Sequence, residues 1–222
     1  MTFPDFSFER KYWKKGFRVV AGADEVGRGC FAGPVVAGCV AFTLNSRFDE
    51  LASKKIFIND SKKVTPKRRE VASFWIKKNA LCYGIGWATV GEINRLGIKK
   101  ASEIAFRRAI KNCGRRIEYL LIDAFFIPHT KGLKRKNQKP IIKGDARSFS
   151  IASASIIAKV YRDRLMTNLS GRKRYEKYHW DKNKGYGTLS HRKAIKKYGT
   201  TKLHRKKFVE TYIKNSFFSP TQ

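Results

Sequence analysis

Acidic side chains are scarce in this chain of 222 residues: 17 Asp and Glu stand against 49 Lys and Arg, a formal net charge of +32. So large an excess goes beyond what solubility asks and points to a polyanionic partner. Aromatic residues make up 13%, and neither a long amphipathic basic helix nor a lipidation signal occurs, so nucleic acid is favoured over an anionic membrane. Long apolar runs are missing too. The longest of note, Cys30 to Phe42, is too short to span a bilayer and is broken by Gly33 and Pro34. Met1 to Arg10 lacks the basic start and apolar middle of a secretion signal, so a cytoplasmic protein is expected. Cysteine is limited to Cys30, Cys39, Cys82 and Cys113, with no C-x-x-C pair, which argues for reduced, buried thiols over disulfides or zinc. The histidines, His129, His179, His191 and His204, lack metal-ligand spacing, and neither G-x-S-x-G nor G-x-x-x-x-G-K-[ST] is present.

Without repeats or low-complexity linkers, the length suits one domain or a domain with an appendage. The one composition shift, near Leu169 to Arg174, separates a core (17–169), preceded by an N-terminal extension (1–16), from a basic C-terminal helical subdomain and tail (170–222). Phe17 to Asp24 and Pro34 to Phe42 read as paired strands. Thr65-Pro66 opens a helix, with Thr at the N-cap and Pro at the first helical position, running to about Asn79. Leu81 to Val90 reads as a strand and Lys99 to Cys113 as an amphipathic helix. Ile117 to Ile122 is a short buried strand delivering Asp123 at its end, and Pro140 to Ile142 leads into Lys143-Gly144-Asp145. Ser150 to Met166 is small and apolar enough for a helix packed closely on the sheet, with Arg162, Asp163 and Arg164 closing it. Arg172 to Lys207 is dominated by Lys and Arg with aromatics interleaved.

Against this background, an acid at the end of an apolar strand calls for an explanation, and there are three such places: Asp24-Glu25, Asp123 and Asp145. Neighbouring strand residues point to opposite faces, so Asp24 and Glu25 share a site only where the strand ends or bends; Gly27 and Gly29 supply that freedom. Like charges brought together would repel by roughly 4 kcal/mol per pair at 4 Å with an effective dielectric of 20. Divalent cations remove that cost, and four carboxylates match two Mg²⁺ or Mn²⁺ ions in charge and in ligand hardness. Such a pair of ions suits phosphodiester hydrolysis. The plainer alternatives are an acidic turn paired with Arg28 and a helix N-cap at Asp123.

Asp24-Glu25-Val26-Gly27-Arg28-Gly29 followed by Ala32-Gly33-Pro34-Val35-Val36 resembles the opening motif of bacterial ribonuclease HII. Further segments match in order: Asp60-Ser61-Lys62-Lys63, Leu121-Ile122-Asp123-Ala124, Lys143-Gly144-Asp145, Ser155 to Val160 with Arg162-Asp163, and Asn183-Lys184-Gly185-Tyr186-Gly187-Thr188, with a weaker echo at His204-Arg205. The resemblance implies an α/β fold: a ribonuclease H-like mixed β-sheet flanked by helices, with a C-terminal helical portion. It makes Asp24, Glu25, Asp123 and Asp145 the catalytic carboxylates that bind Mg²⁺ or Mn²⁺. It implies cleavage of RNA/DNA hybrids, and cutting on the 5′ side of single ribonucleotides in duplex DNA to leave 3′-OH and 5′-phosphate ends. Gly27, Arg28, Gly29 and Tyr186 would recognise the ribose 2′-OH, while Ser61, Lys62, Lys63 and Lys143 would contact phosphates. Asp163 is expected to pair with Arg162 or Lys159, and Lys131 to Lys139 to form a basic loop.

Departures occur at Cys30 and Phe31, where the family usually has proline and a small apolar residue, at Val64, and at Lys206-Lys207. Related ribonuclease HIII typically has lysine where Arg28 stands. A monomer is expected. The surroundings of Phe217-Phe218 match a sliding-clamp motif poorly, so a replication clamp is an unsupported partner and a frayed tail the plainer account. A reading from another class is a non-catalytic basic nucleic-acid-binding protein whose acids are structural; it predicts the same salt-sensitive binding.

Overall fold

The computed structural model describes residues 3–44, 46, 56–123 and 125–217. Ala124 of the matched motifs and Phe218 of the C-terminal phenylalanine pair lie outside the described residues. The sheet has five strands: β1 (Val20–Val26), β2 (Val35–Ala41), β3 (Cys82–Ala88), β4 (Tyr119–Asp123) and β5 (Gln138–Ile141), in spatial order β3-β2-β1-β4-β5. β1, β2 and β3 form an antiparallel meander, and β4 and β5 run parallel to β1. This is the expected mixed sheet. Every residue of β2 is buried, as befits a strand covered on both faces, while edge strand β3 alternates.

Seven helices occur among the described residues: α1 (Ser7–Trp13), α2 (Pro66–Asn79), α3 (Val90–Asn112), α4 (Phe149–Ser170), α5 (Trp180–Asn183), α6 (Leu189–Tyr198) and α7 (Lys206–Phe217). One face packs on α3, through Ala101, Ala105 and Ala109, and the other on α4 and α2. Helix α4 approaches very closely because β1 and β2 offer glycines there. A Cβ on Gly22 would lie 2.2 Å from the backbone nitrogen of Ile151, and one on Gly38 2.3 Å from the carbonyl oxygen of Ala154.

Helix α3 begins nearer the strand than the apolar period from Lys99 suggests. Thr89 and Glu92 form a reciprocal cap, Thr89 Oγ1 accepting from Glu92 N–H at 3.2 Å and Glu92 Oε2 from Thr89 N–H at 2.8 Å. Gly97 (φ 79, ψ 161) then breaks the helix and hides this first segment from a periodicity reading. Helix α4 runs on to Ser170, past the charged triplet expected to end it. Arg162 does not face solvent there: it is fully buried. The Lys131 to Lys139 segment is not all loop, since Gln138 and Lys139 belong to β5 and the Gln138 side chain bonds both the N–H and the carbonyl of Ile127 at 2.9 Å.

The aromatics of the basic C-terminal portion mostly face inward. Tyr175, Tyr178 and Trp180 join Met166, Ile195 and Val209 in a small core, leaving Tyr198 exposed. His191 and His204 are buried in it with their Nε2 atoms 3.2 Å apart. Burial, and secondarily the neighbouring His191, pushes the His204 pKa down from 6.5 to about 4; burial likewise lowers that of His191. A depressed histidine pKa means that the unfolded chain takes up the proton first, so this contribution to stability is full above 6.5 and is lost as the pH falls towards 4. Thermal melts should therefore show the stability gap between wild type and His204→Asn closing across that interval. A gap independent of pH would show that the ring is not held neutral.

The four cysteines are free and buried, as expected.

Candidate active site

At the C-terminal ends of β1 and β4 the sheet opens into a cavity of about 260 Å³ lined by Asp24, Glu25, Val26, Gly27, Arg28, Gly29, Ser61, Lys62, Asp123, Asp145, Ser155, Lys159 and Tyr186. Asp24 and Glu25 lie inside β1, opposite Gly38 and Ala37 of β2. On its other side β1 has finished pairing: the ladder with β4 runs only from Val20 to Ala23. Beyond that point the acids on either face of β1 border the space that β4 has left. Asp123 is the last residue of β4, and its Oδ1 accepts from Gly144 N–H at 2.9 Å. That bond ties β4 to the short 3₁₀ turn Gly144–Ala146, which carries Asp145.

The electrostatics are those of crowded anions. Burial pushes the Asp24 carboxyl well above the usual range, helped by the negative charges of Glu25, Asp123 and Asp145. Burial raises Glu25 as well, against the pull of Arg28, whose Nη1 lies 3.1 Å from Glu25 Oε1. Asp145 is raised by burial and then by Asp60 and Asp123. Among the described residues no three Asp, Glu, His or Cys side chains stand close enough together to chelate an ion as they are. The donor set nevertheless suits a hard divalent cation, being all oxygen and repelled by its own charge.

Of the residues singled out in the sequence, the cavity brings together the four acids, Gly27, Arg28, Gly29, Ser61, Lys62 and Tyr186; Lys63 and Lys143 are exposed outside its lining. Several contributors lie in the matching segments but had no role in the site assigned to them. Ser155 lies beside Asp24 and donates to Ser61 Oγ at 2.9 Å, and Asp60 stands near enough to Asp145 to repel it. Lys159 reaches the cavity wall and pairs with Asp163 at 2.9 Å; the second partner of Asp163 is Arg69 at 3.6 Å, not Arg162. Arg69 also bonds the Ser61 carbonyl at 2.8 Å, so Asp163 helps to anchor the Ser61 turn.

Two buried arginines shape the rim. Arg162 donates from Nε to Pro34 O (2.9 Å), from Nη2 to Ala32 O (3.0 Å) and from Nη1 to Lys184 O (2.8 Å). Arg205 donates to Gly33 O (2.9 Å) and Arg28 O (2.7 Å), and burial draws its pKa down to about 10. Backbone carbonyls answer both cations, and their bonds span the loop from Gly27 to Pro34 and the loop around Tyr186. Phe31, one of the departures from the family pattern, wedges between these loops: its ring fills the place where a Cβ on Gly187 would stand, and its N–H bonds Gly185 O at 2.9 Å.

A mixed five-stranded sheet in this order, flanked by helices and with four acids bordering one cavity where β1 and β4 end, is the architecture of the ribonuclease H-like class. The sequence profile of ribonuclease HII matches residues 21–211. Similar curated proteins are ribonuclease HII of Caldanaerobacter subterraneus subsp. tengcongensis, 44% identical over 93% of this chain and 80% of its own, and that of Bacillus subtilis, 43% identical over 91% and 74%. The chain belongs to the ribonuclease HII family. It is thus a type 2 ribonuclease H, acting on RNA/DNA with divalent metal. Solved structures agree in fold: ribonuclease H2 from Pyrococcus horikoshii (TM-score 0.64, 24% identity, 89% of this chain and 100% of that one), and ribonuclease HII of Archaeoglobus fulgidus in its complex with PCNA (TM-score 0.66, 24% identity, 84% and 93%). Among the described residues no helix is long and apolar enough to cross a membrane.

Proposed function

We propose that this enzyme cuts on the 5′ side of a ribonucleotide, whether single in duplex DNA or part of an RNA/DNA hybrid, leaving 3′-OH and 5′-phosphate ends. Asp24, Glu25, Asp123 and Asp145 hold two divalent ions, Mg²⁺ or Mn²⁺. When bound, these supply Lewis-acid stabilisation of the phosphodiester oxygens and lower the pKa of the attacking water. Gly27, Arg28 and Gly29 present backbone and guanidinium to the 2′-OH, Tyr186 stacks on the neighbouring deoxyribose, and Ser61 and Lys62 meet the phosphate. Lys63 and Lys143 contact the strand further out. In this reading residues 17–169 form the catalytic core, between an N-terminal extension (1–16) and a basic C-terminal helical subdomain and tail (170–222), and the enzyme works as a cytoplasmic monomer in ribonucleotide removal and primer processing.

The observation that carries the reading is the sharing of one cavity by the acids and by Gly27-Arg28-Gly29 and Tyr186. Chemistry and sugar recognition then act at adjacent positions of one strand. The test is a duplex DNA bearing one internal ribonucleotide, incubated with Mg²⁺ and mapped at nucleotide resolution. A single cut 5′ of the ribonucleotide is expected; a cut on its 3′ side, or none, removes the proposal. Tyr186→Ala should lower kcat/KM on that substrate roughly tenfold, the size of one lost stack, with a smaller loss on long hybrids where many 2′-OH groups offer alternative registers. Equal losses on both would reject the role given to Tyr186.

A further inference from the structure

His191 and His204 lie outside the carboxylate cavity, and the reaction as described does not use them. Each of their hydrogen bonds nevertheless has a definite direction. The backbone N–H of Thr201 can only donate, so His204 Nδ1, 2.9 Å away, is the bare nitrogen and its proton sits on Nε2. The indole N–H of Trp180 can only donate, so His191 Nε2, 3.1 Å away, is bare as well, and it also accepts from His204 Nε2 at 3.2 Å. The His191 proton therefore sits on Nδ1, 2.9 Å from the carbonyl oxygen of Tyr186, which can only accept. One tautomer of each ring satisfies every partner. The chain of bonds ends on the backbone of the residue whose ring lines the active site.

Tyr186 has little local stiffness of its own, standing between Gly185 (φ +82) and Gly187. Its loop is instead held carbonyl by carbonyl. Lys184 O is bound by Arg162, Gly185 O by the N–H groups of Phe31 (2.9 Å) and Ala32 (3.1 Å), and Tyr186 O by Thr188 N–H (2.8 Å) and His191. The ring then rests near two cations of α4, Lys159 Nζ 5.4 Å and Arg162 Cζ 5.8 Å from its centroid. Without His191, Tyr186 O keeps only the N–H of Thr188, two residues along the same loop, so nothing outside the loop fixes the tilt of that peptide and with it the direction of the ring.

We propose that His191, oriented by His204 and Trp180, is a positioning residue for Tyr186, and that it thereby sets how well the enzyme handles a lone ribonucleotide relative to a long hybrid. The second half rests on the role given to Tyr186 above; the first does not. His191→Asn keeps an amide donor near the place of Nδ1, whereas His191→Gln carries its amide out towards Nε2 and leaves Tyr186 O without that donor. Both lose the imidazole and its packing, so a purely structural role would affect them alike. The enzyme is labelled with 3-fluorotyrosine and the Tyr186 fluorine resonance is assigned by its loss in Tyr186→Phe.

His191→Gln is expected to shift or broaden this resonance and to lower the ratio of kcat/KM on a single-ribonucleotide duplex to that on a long hybrid roughly tenfold, the size of one hydrogen bond. His191→Asn should retain both. An unmoved resonance in His191→Gln, or equal behaviour of the two variants, overturns the proposal. If the resonance moves while neither His191→Gln nor Tyr186→Ala alters the ratio, the positioning stands and the substrate role of Tyr186 falls. If only Tyr186→Ala alters it, the link from His191 to substrate choice falls. Should neither His191 variant fold, Trp180→Phe removes one donor to His191 while keeping an aromatic ring there, and the same resonance should move; no movement overturns the proposal.

Discussion

Asp24→Asn is expected to cripple cleavage while raising the melting temperature of the metal-free protein. The two effects share one cause. Asp24 is 6% exposed, and burial together with the charges of Glu25, Asp123 and Asp145 pushes its carboxyl well above the usual range. An acid whose pKa is raised by folding weakens the fold as the pH rises past its ordinary value of 3.8, because the unfolded chain then releases a proton that the folded state still holds, and the loss grows until the folded state gives it up as well. Asparagine keeps the shape and an oxygen for the Glu25 N–H, which Asp24 Oδ1 now accepts at 2.8 Å, and removes the charge. In EDTA at neutral pH the variant should melt higher by about 2–4 °C for each kcal/mol of repulsion relieved. With Mg²⁺ its kcat should fall by roughly 10³-fold, the several kcal/mol that charge stabilisation by metal supplies. A variant that cuts like the wild type would return the acids to a structural role. One that is inactive but less stable in EDTA would mean that the repulsion is already screened.

Arg162→Ala should cost at least about 3 kcal/mol of stability, since each buried carbonyl left without a partner costs about 1–3 kcal/mol. The guanidinium satisfies carbonyls of Ala32, Pro34 and Lys184, and truncation leaves all three without that donor inside the protein. Denaturant melts measure the loss, and a change within about 0.5 kcal/mol, typical of a surface site, would contradict the clamp. Gly27 supplies a sharper test. Its φ of +87° disfavours any side chain, and a Cβ there would also stand 2.2 Å from Arg162 Nε. Gly27→Ala should therefore do less damage in the Arg162→Ala background than in the wild type, with a coupling of about 0.5–3 kcal/mol. Strict additivity would mean that the backbone angle alone requires the glycine.

The strands and helices were legible where local chemistry speaks. Thr65-Pro66 marks the start of α2 because proline fits the first helical turn, although the Thr65 side chain makes no capping bond. The start of α3 was signalled by Thr89 and Glu92 but obscured by Gly97. Of the two partners expected for Asp163, Lys159 is one and Arg162 is not, and its second partner, Arg69, lies far away in sequence where no pattern announces it. Arg162 in its charged triplet and Arg205 in its basic run look like solvated side chains, and burial alone distinguishes them. The aromatics between the lysines of the C-terminal portion could equally have faced a duplex; Tyr175, Tyr178 and Trp180 face one another instead.

By itself the sequence determined the basic character of the protein, the order of its five strands and of helices α2 to α4, and the family to which its motifs belong. These follow from composition, period, caps and short motifs, all of them local. Only the tertiary structure decided that β1 outlasts its pairing with β4, so that Asp24, Glu25, Asp123 and Asp145 border one cavity. It also decided that two arginines and two histidines turn inward to hold the loops around it. The reason is physical: proximity and burial are properties of packing between distant segments, and the same charged or polar side chain is solvated in one packing and an anchor in another.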